Sequence, residues 1–455
     1  MASPMASPMA QQVVVVSVSR TPLTRALRGA SSAPYTASLI SCVTADLLGR
    51  CALPAEADWA AVLDDVAVGN VMAGPGGGVA ARIGVAAGIR QAAAGCSGDV
   101  AAPTLDPLKV PLKMVSRQCA SGLQAAVDVA CSIRAGLTSC GLALGVESMS
   151  YHPMEDFGKA PHVDEEHDGL PLANDGLPDE AYDDDPASNP EALHSSSNDA
   201  VMTPMGATSD FVAKEYGIKR EEQDAFAAAS HRKAAEAWEK GLFDYELCEA
   251  GSSPPPPAPT ESRPYPDNGI RPSTTAASLK SLKPAFAAEG STTAGNSSQL
   301  TDGCAGLLLM SRSLASSLSL PVLATFVSFA AAGVPPRLMG VGPVAAVPKA
   351  LSLASLSVPD VDLWEVNEAF ASQSLRCVSA LGLPPEKVNV NGGAIALGHP
   401  LGCTGARQVV TLVSELGRRG GGVGVTTMCV GTGMGCAAVW KVERREEEGG
   451  ASSKL

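Results

Sequence analysis

The stretch VPLKMVSRQCASGLQAAVDVACSIRAGLTSCGLALGV, residues 110–146, predicts two short strands joined by a helix. The apolar runs at 110–115 and 142–146 are suited to buried strands. Between them, apolar residues recur at helical spacing over 123–134, and Gly136 is suited to follow the end of that helix. A strand, a helix and a second strand in this order are typical of a parallel α/β unit.

Similar elements lie on both sides of this unit. A strand at 13–16 and a helical stretch through Leu48 precede it, with a further strand around 66–68. The second half of the chain alternates in the same way, with strands at 363–366, 388–390, 423–427 and 437–442 and helices at 367–378 and 406–416. This alternation predicts largely parallel sheets covered by helices, and the duplicated order predicts two such layers related by approximate twofold symmetry.

The segment between the two units differs from them in composition. Residues 151–294 are rich in Asp, Pro and Ser, and we interpret them as an inserted loop domain with a helix at 220–241. Within it, 155–199 carries fourteen carboxylates and a single Lys, too few apolar residues to offset the entropy of ordering the chain. The predicted domains are an N-terminal core at 1–150, completed by about 295–320, the loop domain at 151–294, a C-terminal core at 321–442 and a flexible tail at 443–455.

The composition argues against several classes of protein. A chain of 455 residues with 45% hydrophobic and 18% charged content is long enough for two or three cores and predicts a multidomain soluble enzyme. It has no run of about 18 apolar residues, as a membrane span needs, and its start lacks the order of a secretory signal. The net charge of −14, without a basic face, argues against nucleic-acid binding. Twelve cysteines without paired or zinc-like spacing predict reduced thiols and no metal site.

A candidate nucleophile lies between the strand and the helix of the opening stretch. The segment SRQCASG, residues 116–122, puts Cys119 at or near a helix N-terminus, where the dipole and free N–H groups favour thiolate over thiol. Such sites lower the pKa of a thiol, about 8.5 in a model compound, by one unit or more. Since a single Cys at a helix start is more often a packing residue, its assignment depends on partners elsewhere in the chain.

Three other segments carry candidate partners. NGGAIALGHPLG surrounds His399 with glycines that allow close backbone approach, although a Gly-rich turn with an incidental His has the same pattern. CVGTGMG offers a second thiol, Cys429, as an acid or base beside an oxyanion hole, with a tight hairpin around a buried Cys as the alternative. NEAF lies where a strand becomes a helix, so Asn367 either holds a water or carbonyl oxygen or only caps that helix.

Together these segments resemble the thiolase family. The agreement covers nearly the whole chain, from VSVSRTPLTRA near its start to CVGTGMGCAAVW near its end. RQCASGLQA, NEAFASQ, PMGATSD, GIRPSTT and TTAGNSSQLTDG look most like the degradative 3-ketoacyl-CoA thiolases of peroxisomes, whereas acetoacetyl-CoA thiolases more often carry a CGSG-type nucleophile segment. The resemblance implies an α/β, thiolase-like fold in which two duplicated core domains form a layered αβαβα arrangement with an inserted loop domain.

The resemblance also implies a role for each candidate residue. Cys119, activated by His399, attacks the 3-keto carbon of a 3-ketoacyl-CoA and gives an acyl-enzyme and the enolate of acetyl-CoA. Cys429 protonates that enolate and then deprotonates incoming CoA, which releases the shortened acyl-CoA. His399 and a water held by Asn367 form one oxyanion hole, and the N–H groups of Cys119 and Gly431 form the other. No metal or redox cofactor is implied, and CoA is a substrate.

Binding and assembly are implied in the same way. The loop domain of the family cradles CoA, which implies that Met205 and Ser298 lie beside the pantetheine arm, although the segment around Ser298 is alternatively only a turn. Because dimers and dimers of dimers occur in the family, we expect a homodimer. The chain is longer between Met149 and Pro204 than the family usually is, and the extra acidic stretch is either an inert solvated run or repels the phosphates of CoA and so modulates its access.

The chain ends in Ser453-Lys454-Leu455, which is typical of a peroxisomal address that an import receptor binds. The favoured prediction is a peroxisomal 3-ketoacyl-CoA thiolase of fatty-acid β-oxidation. A condensing enzyme that forms acetoacetyl-CoA and a non-catalytic acyl-CoA carrier of the same fold are the alternatives. Reversible oxidation of Cys119 and Cys429 is a further hypothesis, because β-oxidation in peroxisomes generates peroxide.

Overall fold

The computed structural model describes residues 12–26, 36–51, 53, 58–74, 76–95, 106–153, 203–248 and 265–444. The acidic stretch and the C-terminal tripeptide lie outside these ranges. The strands within them are β1 (Val13–Arg20), β2 (Thr24–Arg25), β3 (Asp65–Gly69), β4 (Leu112–Val115), β5 (Cys140–Ser148), β6 (Thr301–Ser311), β7 (Ala324–Gly333), β8 (Leu363–Val366), β9 (Gly422–Val430) and β10 (Met434–Val442). The helices are α1 (Thr36–Gly49), α2 (Trp59–Val62), α3 (Gly77–Gly95), α4 (Ser121–Arg134), α5 (Met205–Glu215), α6 (Arg220–Glu239), α7 (Ala276–Leu279), α8 (Arg312–Ser317), α9 (Gly342–Leu353), α10 (Ala371–Leu381), α11 (Ala394–Leu397) and α12 (Leu401–Arg418).

The strands form one continuous sheet made of two halves with the same strand pattern. In the first half, β4, β3 and β5 are parallel neighbours, and β6 and β1 continue the sheet in antiparallel orientation. In the second half, β8 and β9 are parallel, and β10 and β7 continue it in antiparallel orientation. Two residue pairs between β1 and β7 join the halves. The duplicated order predicted from the sequence is therefore confirmed.

The strand predicted at 388–390 is wrong, because only Val388 pairs, in an isolated parallel bridge with Trp364. The next residue, Asn389, has a positive φ of 43° and turns the chain away. Its side-chain amide instead binds both the N–H and the C=O of Val366, each over 2.8 Å. The side chain of Asn389 thus replaces the next pair of backbone hydrogen bonds. Only Val388 occupies the position in the second half that corresponds to β4 in the first.

Helices cover both halves of the sheet and also separate them. Because side chains alternate along a strand, Val14 and Val16 of β1 pack outward against α1 and α3, whereas Val13 and Val15 face the interior of the molecule. On the other side, α9 and α10 cover the outer face of β7 to β10. Between the halves, α4 and α12 share one hydrophobic core with both halves of the sheet. Helices and sheets thus alternate in five layers.

The two central helices meet at glycines near their N-terminal ends. A Cβ atom on Gly122 would lie 2.5 Å from the carbonyl oxygen of Gly402, and one on Gly405 would lie 2.5 Å from the N of Leu123. Since real side chains do not approach backbone atoms so closely, only glycine allows α4 and α12 to cross at this distance. The crossing brings together the segments that precede the two helices, which carry Cys119 and His399.

The prediction of reduced thiols is wrong for one pair. Cys42 of α1 and Cys248 form a disulfide with their Cα atoms 6.7 Å apart, whereas the other nine cysteines among the described residues are free. Their separation of 206 residues gave no signal in the sequence. They meet because Leu247 pairs with Arg20 at the end of β1, and because Arg50, after α1, donates to the carbonyl oxygen of Leu247 over 2.8 Å.

No helix in the described part of the chain is long and apolar enough to cross a membrane.

Candidate active site

The predicted catalytic residues lie at the carboxyl ends of the parallel strands and in the segments that lead into the two central helices. Cys119 follows β4 and precedes α4, and His399 holds the corresponding position before α12 in the second half. Asn367 directly follows β8, Cys429 is the next-to-last residue of β9, and Gly431 begins the turn after it. Ligands of open α/β sheets bind in the crevice at these ends of the strands. Both halves of the fold therefore contribute to one site.

Cys119 is a neutral thiol in the resting site. The residue keeps partial exposure, but burial of its sulfur raises the pKa to about 11, which outweighs the backbone N–H groups of Gly431 and of Cys119 itself that lower it. The negative charge of Glu147 raises it further. Helix α4 begins only at Ser121, with Ala120 as its N-cap, so Cys119 lies outside the first turn. The predicted thiolate is therefore wrong for the resting site, because desolvation dominates.

The two backbone N–H groups that act on the sulfur of Cys119 belong to Gly431 and to Cys119 itself. The segments that hold them both contain a non-glycine residue with positive φ, Gln118 at 46° and Thr432 at 69°. These turns face each other, since a Cβ on Gly431 would lie 3.5 Å from Gln118 Cγ and 3.7 Å from Met205 Sδ. The structure thus brings Cys119 and Gly431 together, as the sequence predicted, with Gln118 and Met205 as the nearest side chains to Gly431.

His399 is buried and has a defined tautomer. Its Nδ1 lies 2.6 Å from Oγ1 of Thr404, which donates its only proton to the carbonyl oxygen of Pro400 over 2.9 Å. The Thr404 hydroxyl must therefore accept from His399, so Nδ1 carries the proton and Nε2 presents a lone pair. Burial lowers the pKa of His399 to about 3, and the positive charge of Arg407 contributes to the shift. The imidazole is neutral and suited to accept a proton at Nε2.

Asn367 lies beside His399 and does not cap the following helix. Its Nδ2 is 3.4 Å from Nε2 of His399, and its N–H donates to the carbonyl oxygen of Thr427 over 2.9 Å. Helix α10 begins four residues later with Phe370 as its N-cap, so both the predicted helix start and the capping alternative are wrong. The side-chain oxygen of Asn367 is buried without a hydrogen-bond partner among the described residues. The amide is thus free to bind a further polar group next to His399.

Cys429 is the second thiol of the site and is almost fully buried. Its Sγ donates to Oε1 of Gln373 over 3.3 Å. Burial raises its pKa well above the ordinary value, and the electrostatic influence of Cys119 adds to the shift. The structure therefore brings the two predicted thiols close enough to interact, with Cys429 in the protonated form that an acid requires.

The two residues predicted to bind CoA lie next to this group. Met205, the first residue of α5, packs against the small hydrophobic cluster that Cys429 forms with Met339, Ala369 and Phe370. The backbone N–H of Ser298 donates to the carbonyl oxygen of Ala369 over 3.0 Å, which holds its segment against the chain after Asn367. Both residues are half-buried, so each keeps a surface from which it can contact a ligand.

Sequence reasoning missed three buried residues that position this site. Gln373 binds Cys429 and Thr404 binds His399, as described above. Glu147, at the end of β5, accepts from Asn70 Nδ2 and from the backbone N–H groups of Val71, Met72 and Gly402. A Glu directly after the apolar run LALGV was the only available signal, because a charge is seldom buried without partners. Burial raises the pKa of Glu147 to about 7.

Metal ligands are not grouped in the described ranges, where no cluster of three or more His, Cys, Asp or Glu side chains could hold an ion.

Comparison with known families agrees with this geometry. Residues 13–313 match the model of the thiolase N-terminal domain, and residues 320–442 match that of the thiolase C-terminal domain. The chain belongs to the thiolase family. The boundary between the two matches falls between β6, the last strand of the first half in the chain, and β7, the first strand of the second half.

Individual relatives are similar over almost the full length. The peroxisomal 3-ketoacyl-CoA thiolase A of Rattus norvegicus is 45% identical over 438 residues, which cover 95% of this chain and 89% of the rat protein. The crystal structure of the dimeric peroxisomal thiolase of Saccharomyces cerevisiae is 37% identical with a TM-score of 0.76, covering 96% and 99%. Human mitochondrial 3-ketoacyl-CoA thiolase, solved in complex with CoA, is 31% identical with a TM-score of 0.73, covering 95% and 98%. The predicted thiolase-like fold is confirmed.

Proposed function

We propose that this protein is a peroxisomal 3-ketoacyl-CoA thiolase, which cleaves a 3-ketoacyl-CoA with CoA to give acetyl-CoA and an acyl-CoA shortened by two carbons. The observation that carries the proposal is the pairing of two thiols in one site with opposite hydrogen-bond environments. Backbone N–H groups point to Cys119, whereas the thiol of Cys429 donates to a carbonyl oxygen. The similarity to peroxisomal 3-ketoacyl-CoA thiolases over 95% of the chain supports the same substrate class.

In the first half-reaction, the sulfur of Cys119 attacks the 3-keto carbon, and its proton passes to Nε2 of His399. The N–H groups of Cys119 and Gly431 stabilise the oxyanion that forms on this carbon. The bond between C2 and C3 then breaks and leaves an acyl-Cys119 thioester and the enolate of acetyl-CoA. Cys429 gives its proton to the enolate carbon, and acetyl-CoA departs.

The position of His399 suits it to two tasks in this step. As a neutral imidazole with an unprotonated Nε2, whose hydrogen-bond partner is the Asn367 amide at 3.4 Å, it accepts the proton of Cys119. Once protonated, the same Nε2–H becomes a donor next to the amide of Asn367, 3.4 Å away. The pair then stabilises the enolate oxygen, with Asn367 acting through a water that it binds. Nε2 of His399 therefore acts first as the base and later as a hydrogen-bond donor to the enolate oxygen.

In the second half-reaction, the thiolate of Cys429 takes the proton of incoming CoA. The CoA sulfur attacks the acyl-Cys119 thioester, and the shortened acyl-CoA forms as the Cys119 sulfur leaves. His399 returns its proton to that sulfur, so both thiols end as they began. Since the leaving carbanion is stabilised as a thioester enolate, we propose that the reaction uses no metal or redox cofactor, with Met205 and Ser298 beside the pantetheine arm of CoA.

The experiment that tests this function is a CoA-dependent cleavage assay over a series of 3-ketoacyl-CoA chain lengths. Cys119→Ser should lower kcat by at least about a thousandfold, because the nucleophile of the covalent step is lost. The matched control is Cys131→Ser, at an exposed cysteine in the last turn of α4, which should leave kcat and KM unchanged. Wild-type protein that binds acyl-CoA without cleaving any chain length would overturn the proposal.

We further propose that the protein acts in the peroxisome as a homodimer. The relatives at 40–45% identity are peroxisomal enzymes of several species, and the similar yeast structure is dimeric. Import would use Ser453-Lys454-Leu455 as the receptor-binding tripeptide. A fluorescent fusion should lose its peroxisomal location when Leu455 is removed, and light scattering should give twice the mass of one chain.

A further inference from the structure

Cys119 and Cys429 are both thiols, but the proposed reaction uses Cys119 as a nucleophile and Cys429 as an acid. Their surroundings must therefore differ. The side chain that accepts a hydrogen bond from Cys429 is that of Gln373, which is fully buried on the first turn of α10. Its Oε1 accepts from Cys429 Sγ over 3.3 Å, and its Nε2 donates to Oγ of Ser374 over 3.1 Å. Gln373 is therefore the first link of a hydrogen-bond chain that starts at the second thiol.

The next link of the chain fixes which end of the Gln373 amide faces Cys429. The hydroxyl of Ser374 donates its only proton to a backbone carbonyl oxygen, that of Phe370 at 3.0 Å or Asn367 at 3.4 Å. Its oxygen must therefore accept from Gln373, and only the NH₂ end of the amide can donate. The carbonyl end is left for Cys429, and a carbonyl oxygen can bind a thiol proton but not a thiolate.

We propose that Gln373 is a positioning residue that keeps Cys429 in its thiol form, so that Cys429 stores a proton for the enolate while Cys119 alone is the nucleophile. This inference rests on the proposed function. Cys429 releases the proton by turning its S–H bond from Gln373 toward the enolate carbon. The backbone carbonyls that anchor Ser374 belong to the segment of Asn367, which itself lies beside His399. The same chain therefore connects the acid to the second oxyanion hole.

Two substitutions should shift the pKa of the Cys429 thiol in opposite directions. In Gln373→Glu, the added carboxylate can only accept and carries a negative charge, which disfavours a thiolate beside it. In Ser374→Ala, the amide loses the partner that fixes its orientation and can turn its NH₂ end toward the sulfur, which favours the thiolate. A loss of packing alone would not give shifts of opposite sign.

The measurement is the pH dependence of Cys429 alkylation, followed by mass spectrometry of its peptide in a Cys119→Ser background. Without Cys119 the result does not depend on turnover, so it stands apart from any failure of the proposed function. The alkylation midpoint should rise by about one pH unit in Gln373→Glu and fall by a similar amount in Ser374→Ala. Ser379→Ala, at an exposed position of the same helix, is the matched control and should not shift it.

With Cys119 intact, Gln373→Glu should lower kcat about tenfold and leave the KM for the 3-ketoacyl-CoA nearly unchanged, because the acid step and not binding is affected. Midpoints that move in the same direction in both variants, or that stay at the wild-type value, would overturn the proposal.

Discussion

At the scale of single residues, burial keeps the ionisable groups of the site uncharged. Cys119 receives two backbone N–H groups, but burial of its sulfur is the larger effect and keeps it protonated at rest. His399 is kept neutral by the same burial and by the charge of Arg407. Both shifts favour uncharged forms, so a thiolate–imidazolium pair is not the resting state. In the proposed reaction, proton transfer from Cys119 to His399 accordingly accompanies attack on the substrate.

The raised pKa of Cys119 predicts an unusual alkylation profile for the free enzyme. A thiol with a folded-state pKa of about 11 is protonated below that pH, so its thiolate fraction grows as pH rises beyond the ordinary thiol range toward 11. The rate of iodoacetamide alkylation at Cys119 should therefore keep rising up to about pH 11. Quantitative peptide mapping gives this rate, with exposed Cys131 as the reference thiol. A plateau near neutral pH, with Cys119 reacting faster than Cys131 at pH 7, would contradict it.

At the scale of elements, the site depends on how closely the segment of His399 is held against the first half of the fold. The N–H of Gly402 donates to Glu147 over 2.9 Å, and the carbonyl oxygen of Gly402 lies against Gly122 and Gly145. Because Glu147 also binds three donors after β3, one carboxylate ties two strand ends to the start of α12. The relative position of Cys119 and His399 is therefore set by an interface between helices.

This interface predicts the effect of a single methyl group. In Gly402→Ala, the added Cβ would lie 2.6 Å from Val146 O and 2.7 Å from Asn70 Cα, both backbone atoms. The variant should lose about 1–3 kcal/mol in the free energy of unfolding and also lose activity. Gly417→Ala, near the other end of α12 with nothing within 4 Å of the added Cβ, should instead gain up to about 1 kcal/mol and keep its activity. Denaturant unfolding and the cleavage assay measure both, and equal effects of the two substitutions would disprove the account.

At the scale of the whole molecule, a buried charge cluster ties the segment after α6 to both core halves. Arg20, at the end of β1, donates to Glu246 over 2.7 Å and to both carboxylate oxygens of Asp267 over 3.0 Å. Thr411 of α12 also donates to Glu246. Because these charges are fully buried, removal of one partner would leave an uncompensated charge. The Cys42–Cys248 disulfide lies next to this cluster and joins the same segment to α1.

The disulfide should contribute measurably to stability. It closes a long loop, since its cysteines are 206 residues apart, and loss of such a cross-link typically costs about 2–4 kcal/mol. The double variant Cys42→Ser/Cys248→Ser should therefore unfold at a lower Tm than the wild-type protein without reductant. Dithiothreitol should lower the wild-type Tm to that of the variant and leave the variant unchanged. Equal Tm values without reductant would show that the pair is not linked in solution.

Local pattern was enough to predict the repeated order of elements and the segments around Cys119, His399 and Cys429. Strand and helix periodicities are properties of neighbouring residues, so they can be read without knowing the fold. The errors occur where a distant partner decides. The side chain of Asn389 replaces a strand pair by binding Val366, and α10 begins after Phe370 and not at Asn367. Cys42 meets Cys248 because Leu247 binds both Arg20 and Arg50.

The amino-acid pattern alone indicates a duplicated α/β protein with two candidate thiols and a histidine in Gly-rich segments. The protonation state of each group, by contrast, depends on its surroundings in the folded molecule. Cys119 was expected to be a thiolate from its place near a helix start, yet it is a thiol, because desolvation depends on how much of the molecule surrounds the sulfur. The tautomer of His399 and the contact of Cys429 with Gln373 likewise depend on side chains that folding brings into contact.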